Sequence, residues 1–174
     1  MKKYKCYMAG PAVFAPDHKE WAEAVVYNCS GTIIEPLIPA DGDVESNPVE
    51  TLANRIYQKN IEMMKEADIC IADISPFRGV SGDAGTLFEV GYMTALGKPV
   101  FLYSDLKDLS YKRRADGLNA MIHYPSPIWC WLCDDWLVED FGLTENLMIT
   151  QTGTVVYDCV QDAIEAANKL LNRH

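Results

Sequence analysis

No apolar run in this 174-residue chain approaches the roughly 18 residues that a membrane-spanning helix needs. Positive charge is also scarce: 15 Lys and Arg against 25 Asp and Glu leave a formal net charge of −10. Binding to a polyanion depends on clustered cations that release condensed counterions, so no nucleic-acid partner and no membrane contact is expected. The single basic cluster, Lys112-Arg113-Arg114, falls on a predicted helix and reads as a solvated face. The stretch from Met1 to Cys6 leads into no signal-peptide core, and a cytoplasmic location is the expectation.

Other missing patterns exclude chemistries. There is no G-x-G-x-x-G, no glycine-lysine phosphate loop and no G-x-S-x-G elbow, which argues against dinucleotide binding, triphosphate use and a serine triad. Cys130-Trp131-Leu132-Cys133 is a lone C-x-x-C without a second ligand pair, and His123 is too isolated to complete a zinc site. Aromatic packing explains it better, so neither a metal nor a cofactor is expected. The six cysteines include Cys6 and Cys70 in predicted buried strands, the pattern of reduced thiols. Internal repeats and low-complexity tracts are absent as well.

What is present is an alternation of short apolar runs with longer segments of helical period, the signature of a βαβ array. Strands are predicted at Lys3–Ala9, Thr32–Glu35 (closed by Pro36), Asp68–Ile74, Pro99–Tyr103 and Thr154–Tyr157. Helices are predicted at about Asp17–Asn28, with Trp21, Ala24, Val25 and Asn28 as one face, and at Pro48–Glu66. A third helix ends at Gly97-Lys98-Pro99, and a last one runs to about Leu171. The expectation is one α/β domain over residues 1–174, flavodoxin-like and doubly wound, with a five-stranded parallel sheet in the order 2-1-3-4-5. An irregular aromatic insertion over about 116–140 would form a lid or subunit contact.

Within this frame, Ser81 to Tyr92 is the most informative segment. Asp83 falls where a helix begins, and Glu89 lies nearly two turns in on an otherwise apolar stretch. Small residues (Ala84, Gly85, Gly91, Ala95) would let a ligand approach the helix closely. A carboxylate held against apolar neighbours is a candidate nucleophile or general base. The blander alternative is a helix cap at Asp83 and a solvated Glu89. Ligands of such sheets bind at the carboxyl ends of the strands, where the order reverses. Tyr7–Pro11, Asp73–Arg78 and the helix with Asp83 and Glu89 all converge on that crevice.

The motifs Tyr7-Met8-Ala9-Gly10-Pro11, Ala72-Asp73-Ile74-Ser75-Pro76-Phe77-Arg78-Gly79, Asp83-x-Gly85-Thr86-x-Phe88-Glu89-x-Gly91 and Phe141-Gly142-Leu143-x-x-Asn146-Leu147-Met148 resemble those of the nucleoside 2-deoxyribosyltransferases. The resemblance covers most of the chain, excepting the aromatic stretch at 123–140. It implies transfer of 2-deoxyribose between nucleobases, with deoxyribonucleoside and nucleobase as substrates. By similarity, Glu89 attacks C1′ to form a covalent deoxyribosyl-enzyme, and two displacements retain the anomer. Tyr7 matches the tyrosine that hydrogen-bonds the nucleophile. Asp83 matches the carboxylate that manages the proton of the base, and coupling of two carboxylates would let Asp83 hold a proton while Glu89 stays ionised. No metal is implied, because a sugar lacking the 2′-hydroxyl reaches its oxocarbenium-like transition state readily.

The same resemblance fills out the binding set. Gly10 and Phe14 belong to the loop leaving the first strand, and Phe77 and Arg78 would frame the base. Asp73 is a second proton-transfer candidate or a turn cap. Asn60 stands where many members carry a base-contacting aspartate, and an amide binds without acting as an acid. Asn146 and Met148 match a segment that reaches into a neighbouring subunit, which implies a homo-oligomer (dimer-based, up to a hexamer) with shared sites. Two other readings stay open: an N-glycosidase acting on 2′-deoxynucleoside 5′-monophosphates, and a non-catalytic nucleoside-binding module. The apolar loop Gly10–Pro16, with two prolines lacking donors, favours an uncharged nucleoside.

Overall fold

The computed structural model describes residues 2–39, 51–122, 138–153 and 155–173. Five strands form one sheet: β1 (Tyr4–Ala9), β2 (Ile34–Leu37), β3 (Ile69–Asp73), β4 (Val100–Tyr103) and β5 (Val156–Tyr157). Their order is β2-β1-β3-β4-β5 and every pairing is parallel, the doubly wound arrangement expected from the sequence. Crossovers run through helices α1 (His18–Cys29), α2 (Leu52–Glu66), α3 (Ala84–Ala95) and α4 (Tyr111–Ile122), with a short α5 (Leu147–Thr150) before β5. The chain closes with α6 (Val160–Leu171).

The period-two alternation of the strands sorts the core into two faces. Cys6, Met8, Ile69, Ile71 and Phe101 point toward Val25 and Cys29 of α1 and Ala163, Ile164 and Ala167 of α6. Tyr7, Ala9, Cys70, Ala72, Val100 and Leu102 point toward Ile61 and Met64 of α2 and Val90 and Met93 of α3. Because β3 is central in the sheet, Ile69 to Ala72 are all buried, which is why they read as a continuous apolar run.

Two boundaries and one helix face differ from expectation for physical reasons. Pro36 does not close the second strand but lies within β2, opposite Cys6. β2 is an edge strand, where a missing N–H costs no ladder bond. On α1 the buried positions are Val25 and Cys29, with Trp21 packed against them at helical spacing, while Ala24 is exposed. The helix expected from Pro48 begins at Leu52 as described, with Thr51 as its cap accepting from the Asn54 N–H at 3.2 Å. Residues 48–50 lie outside the described residues.

The helix ends carry the chemistry their positions call for. Lys98 donates its ammonium to the carbonyls of Met64, Lys65 and Ala67, satisfying the carboxyl end of α2. Gly97 follows α3 at φ 71, the left-handed geometry that suits glycine at a helix stop. The insertion expected from about residue 116 starts later, since α4 continues regularly to Ile122. His123, Trp129, Cys130, Trp131, Cys133 and Trp136 lie outside the described residues. The described cysteines Cys6, Cys29, Cys70 and Cys159 are free thiols, and the first three are buried. Among the described residues no helix is long and apolar enough to cross a membrane.

Candidate active site

Tyr7 of β1 faces α3, and that register brings two distant motifs together. The Tyr7 side chain is fully buried on this face, and its hydroxyl donates to Glu89 Oε1 at 2.6 Å. Glu89 reaches this point because α3 packs on β1 and β3 through Val90 and Met93, which leaves the preceding position turned toward the strand ends. Burial raises the Glu89 carboxyl to about 7, the Tyr7 hydrogen bond opposes that rise, and the nearby charge of Asp83 adds to it. Tyr7 itself is held far above the ordinary phenol range by burial, then by the Glu89 charge and hydrogen bond. The pair therefore shares one proton-rich, poorly solvated site in which the phenol acts as a donor.

Asp83 caps α3, as the simpler sequence alternative anticipated. Its Oδ2 accepts from the Thr86 N–H at 2.9 Å and the Thr86 hydroxyl at 3.1 Å. A Cβ on Gly85 would stand 3.1 Å from that same oxygen, so glycine there leaves room for the carboxylate. From this cap the charge of Asp83 acts on the Glu89 carboxyl, adding to the rise that burial causes.

The loops after β1 and β3 meet at the crest of the sheet. A Cβ on Gly10 would lie 3.0 Å from Asp73 Cβ, so the first strand can leave past the third only through a glycine. Asp73 accepts from the Ser75 N–H at 2.9 Å, a turn-capping bond, and burial raises its carboxyl above the usual range. Beyond this point, Phe14 from the short 3-10 turn (Pro11–Phe14) stacks on Phe77 with ring centres 5.6 Å apart. The Arg78 guanidinium lies 4.6 Å from the centre of Phe77 and 5.3 Å from that of Phe14. Arg78 holds φ 55, a backbone conformation that non-glycine residues seldom adopt.

Asn146 and Met148 sit on a segment that reaches the start of α3. Asn146 is the cap of α5: its Oδ1 accepts from the Met148 N–H at 3.0 Å, and its Nδ2 donates to Glu139 at 2.8 Å. Met148 is 71% exposed. Asn60 is half-buried on α2, one residue before the buried Ile61, on the same side of the sheet as Tyr7 and α3. The structure thus gathers Tyr7, Asp83 and Glu89 in one cluster, and Gly10, Phe14, Asp73, Phe77 and Arg78 in an adjoining one. A cleft of about 510 Å³ lined by Phe101, Tyr157, Lys169 and Arg173 lies elsewhere, and none of these site residues lines it.

Sequence reasoning missed Arg114, Glu139 and Glu145. Arg114 was expected on a solvated face, yet it is 8% exposed and pairs with the fully buried Glu145. Lys112, by contrast, meets Asp116 one turn on at the surface. The only sequence signal for the buried pair was the proximity of Glu145 to Asn146. Among the described residues no group of three or more His, Cys, Asp and Glu side chains is placed to hold a metal ion.

Fold and crevice together define a doubly wound α/β domain with a half-buried carboxylate, Glu89, hydrogen-bonded to a buried tyrosine. A family model for nucleoside 2-deoxyribosyltransferase matches residues 6–148. The chain belongs to the nucleoside 2-deoxyribosyltransferase family, whose members are pentosyl transferases. It is similar to the solved structure of a 2-deoxyribosyltransferase from Leishmania mexicana, at 34% identity and a TM-score of 0.74, over 95% of this chain and 97% of that one. It also shares its fold with the 2-deoxyribosyltransferase of Bacillus psychrosaccharolyticus, at 20% identity and a TM-score of 0.55, over 92% and 90% of the two chains. A curated relative from Schizosaccharomyces pombe, the uncharacterized protein C191.05c, is 32% identical over 98 residues; the match takes in 54% of this chain and about half (46%) of that protein's length.

Proposed function

We propose that this protein transfers 2-deoxyribose from a 2′-deoxyribonucleoside to an acceptor nucleobase through a covalent deoxyribosyl-Glu89 intermediate, with retention at C1′. The observation that carries the proposal is the 2.6 Å bond from the buried Tyr7 hydroxyl to the Glu89 carboxylate at the strand ends. That bond orients one oxygen and leaves the other for attack on C1′. The leaving base takes a proton from Asp83, through the carboxyl oxygen that Thr86 does not engage, or from Asp73 as its bond to C1′ breaks. The acceptor base then attacks C1′ from the side the first base left, its N–H proton returns to the carboxylate that gave one up, and the Glu89 carboxylate departs.

Burial serves this chemistry in two opposite ways. A desolvated carboxylate is a stronger nucleophile once ionised, but its proton is harder to remove. With Glu89 raised to about 7, ionisation is incomplete below neutral pH, so transfer declines as pH falls through that value. The stacked Phe14 and Phe77 supply a surface for a planar base, and Asn60 offers an amide for its edge. Asn146 and exposed Met148 support a homo-oligomer in which each copy completes its neighbour's site. A role in nucleotide salvage and a cytoplasmic setting follow from the same reading.

One observation favours a second reading, hydrolysis of deoxynucleoside 5′-monophosphates. The Arg78 guanidinium rests on Phe14 beside the first loop, where such an enzyme needs a cation for phosphate. The test is chromatographic: purified protein with deoxyinosine, with and without adenine, and separately with deoxyadenosine and its 5′-monophosphate. Deoxyadenosine formed only when adenine is present supports transfer. Equal hypoxanthine release in both tubes, or clear preference for the monophosphate, moves the assignment to hydrolysis.

A further inference from the structure

A buried ion pair that lies outside the Tyr7–Glu89 cluster holds both segments that flank it. Arg114 projects inward from α4 and engages every nitrogen of its guanidinium in a hydrogen bond. Its Nε donates to the Val80 carbonyl at 2.8 Å, its Nη1 to the Leu109 carbonyl at 2.9 Å, and its Nη2 to the Thr144 carbonyl and, at 3.4 Å, to Glu145 Oε2. Glu145 in turn accepts from two backbone amides: Gly82 at 2.9 Å through Oε2 and Asn146 at 2.9 Å through Oε1. The two side chains are 5% and 0% exposed.

What these bonds fix is specific. Gly82 immediately precedes Asp83, the cap of the helix that carries Glu89. Val80 follows Arg78 by two residues, and Asn146 begins the segment that ends in exposed Met148. Gly82 is itself tightly placed, since a Cβ there would stand 3.3 Å from the Ile74 carbonyl oxygen at the end of β3. A buried ion pair is rarely a better source of stability than well-packed apolar side chains of the same volume. It does provide directional bonds to named backbone groups, and here those groups belong to the two segments that must stay in register.

We infer that Arg114 and Glu145 are positioning residues that hold the Asp83 loop and the Asn146–Met148 segment in the arrangement that deoxyribosyl transfer requires, an inference that rests on the function proposed above. Glu145→Gln keeps the volume but turns an amide NH2 toward a backbone N–H, so one of the two amides loses its acceptor. Arg114→Lys replaces a planar fork of three separate nitrogens by one ammonium on a single atom, which cannot reach the spread-out carbonyls of Val80, Leu109 and Thr144 together with Glu145. Ile164→Val, in the apolar cluster under α6, is a control for lost stability without contact with the site.

The experiment measures hydrogen exchange at Gly82 and Asn146 together with kcat and KM for base exchange in the four proteins. The expected result is loss of protection at Gly82, at Asn146 or at both in the two clamp variants, and kcat about 10- to 100-fold lower, as misplacement of catalytic groups produces. Ile164→Val should melt earlier than wild type yet keep wild-type protection at both amides and wild-type kcat. Unchanged protection and kcat in the clamp variants would overturn the inference, as would an equal loss of kcat in Ile164→Val. Should one clamp variant fail to fold, the other decides by the same criteria. If wild type exchanges no bases, the function proposed above fails, and the exchange data alone decide whether the clamp exists.

Discussion

The two faces of the sheet are built from the same strands and do different work. Under α1 and α6 the described core cluster is apolar but for Tyr103, whose hydroxyl lies at the strand end beside Asp73. Under α2 and α3 the same alternation buries Tyr7 and brings in Glu89 as its partner. One face contributes stability by removing apolar area from water. The other gives some of it up, because it holds a carboxyl against burial that pushes its ionisation to about 7. The proposed nucleophile sits on the face that carries this electrostatic cost.

Substitutions on each face should separate these roles. The largest effect belongs to Glu89→Ala, expected to lower transfer by roughly four orders of magnitude while the melting profile stays cooperative, since a nucleophile has no substitute. Steady-state rates and calorimetry check both halves, and retained activity with a normal melt would refute the assignment. On the opposite face, Ile164→Ala should cost about 3 kcal/mol of stability and leave kcat intact, as measured by urea unfolding and base exchange. Loss of kcat well below the unfolding midpoint would show that the faces are not separable.

Tyr7→Phe should lower kcat/KM about 10- to 100-fold, the scale of a lost hydrogen bond to a charged group. The bond favours the ionised carboxylate, so its loss should also move the acid limb of the pH profile upward from about 7. A limb that stays in place would mean the hydroxyl does not tune Glu89. The smallest effect concerns stability. A folded-state carboxyl raised above its ordinary value of 4.5 means that the native protein holds a proton the unfolded chain has released. Stability from this group is present below that ordinary value and is lost as pH rises to about 7. Glu89→Gln should thus be more stable than wild type at pH 8 by about 1 to 2 kcal/mol, with the difference vanishing near pH 4. A constant difference across that range would show that Glu89 is not raised.

Much of this division was legible in the residues. The strand order followed from five apolar runs separated by helical periods, and the convergence of Tyr7, Asp73 and Glu89 followed from that order. Their mutual register was not, because a one-residue slip would turn Tyr7 to the other face. Pro36 misled because proline breaks central strands but not edge strands, and nothing local marks a strand as an edge. Arg114 misled for a related reason. In Lys112-Arg113-Arg114 the three side chains leave the helix at different angles, so a cluster in sequence is not one in space. Glu145 carries no local mark of burial, since its partners come from residues 82 and 114 as well as its neighbour Asn146.

The most direct test of the Tyr7–Glu89 face is rapid acid quenching of the protein mixed with deoxyinosine, followed by mass spectrometry of the intact chain and its peptides. The expected result is a fraction of protein heavier by one deoxyribosyl group, carried on the peptide that contains Glu89 and discharged when adenine is added before the quench. Turnover without any such adduct on that peptide, or an adduct on a different carboxylate, would contradict Glu89 as the nucleophile.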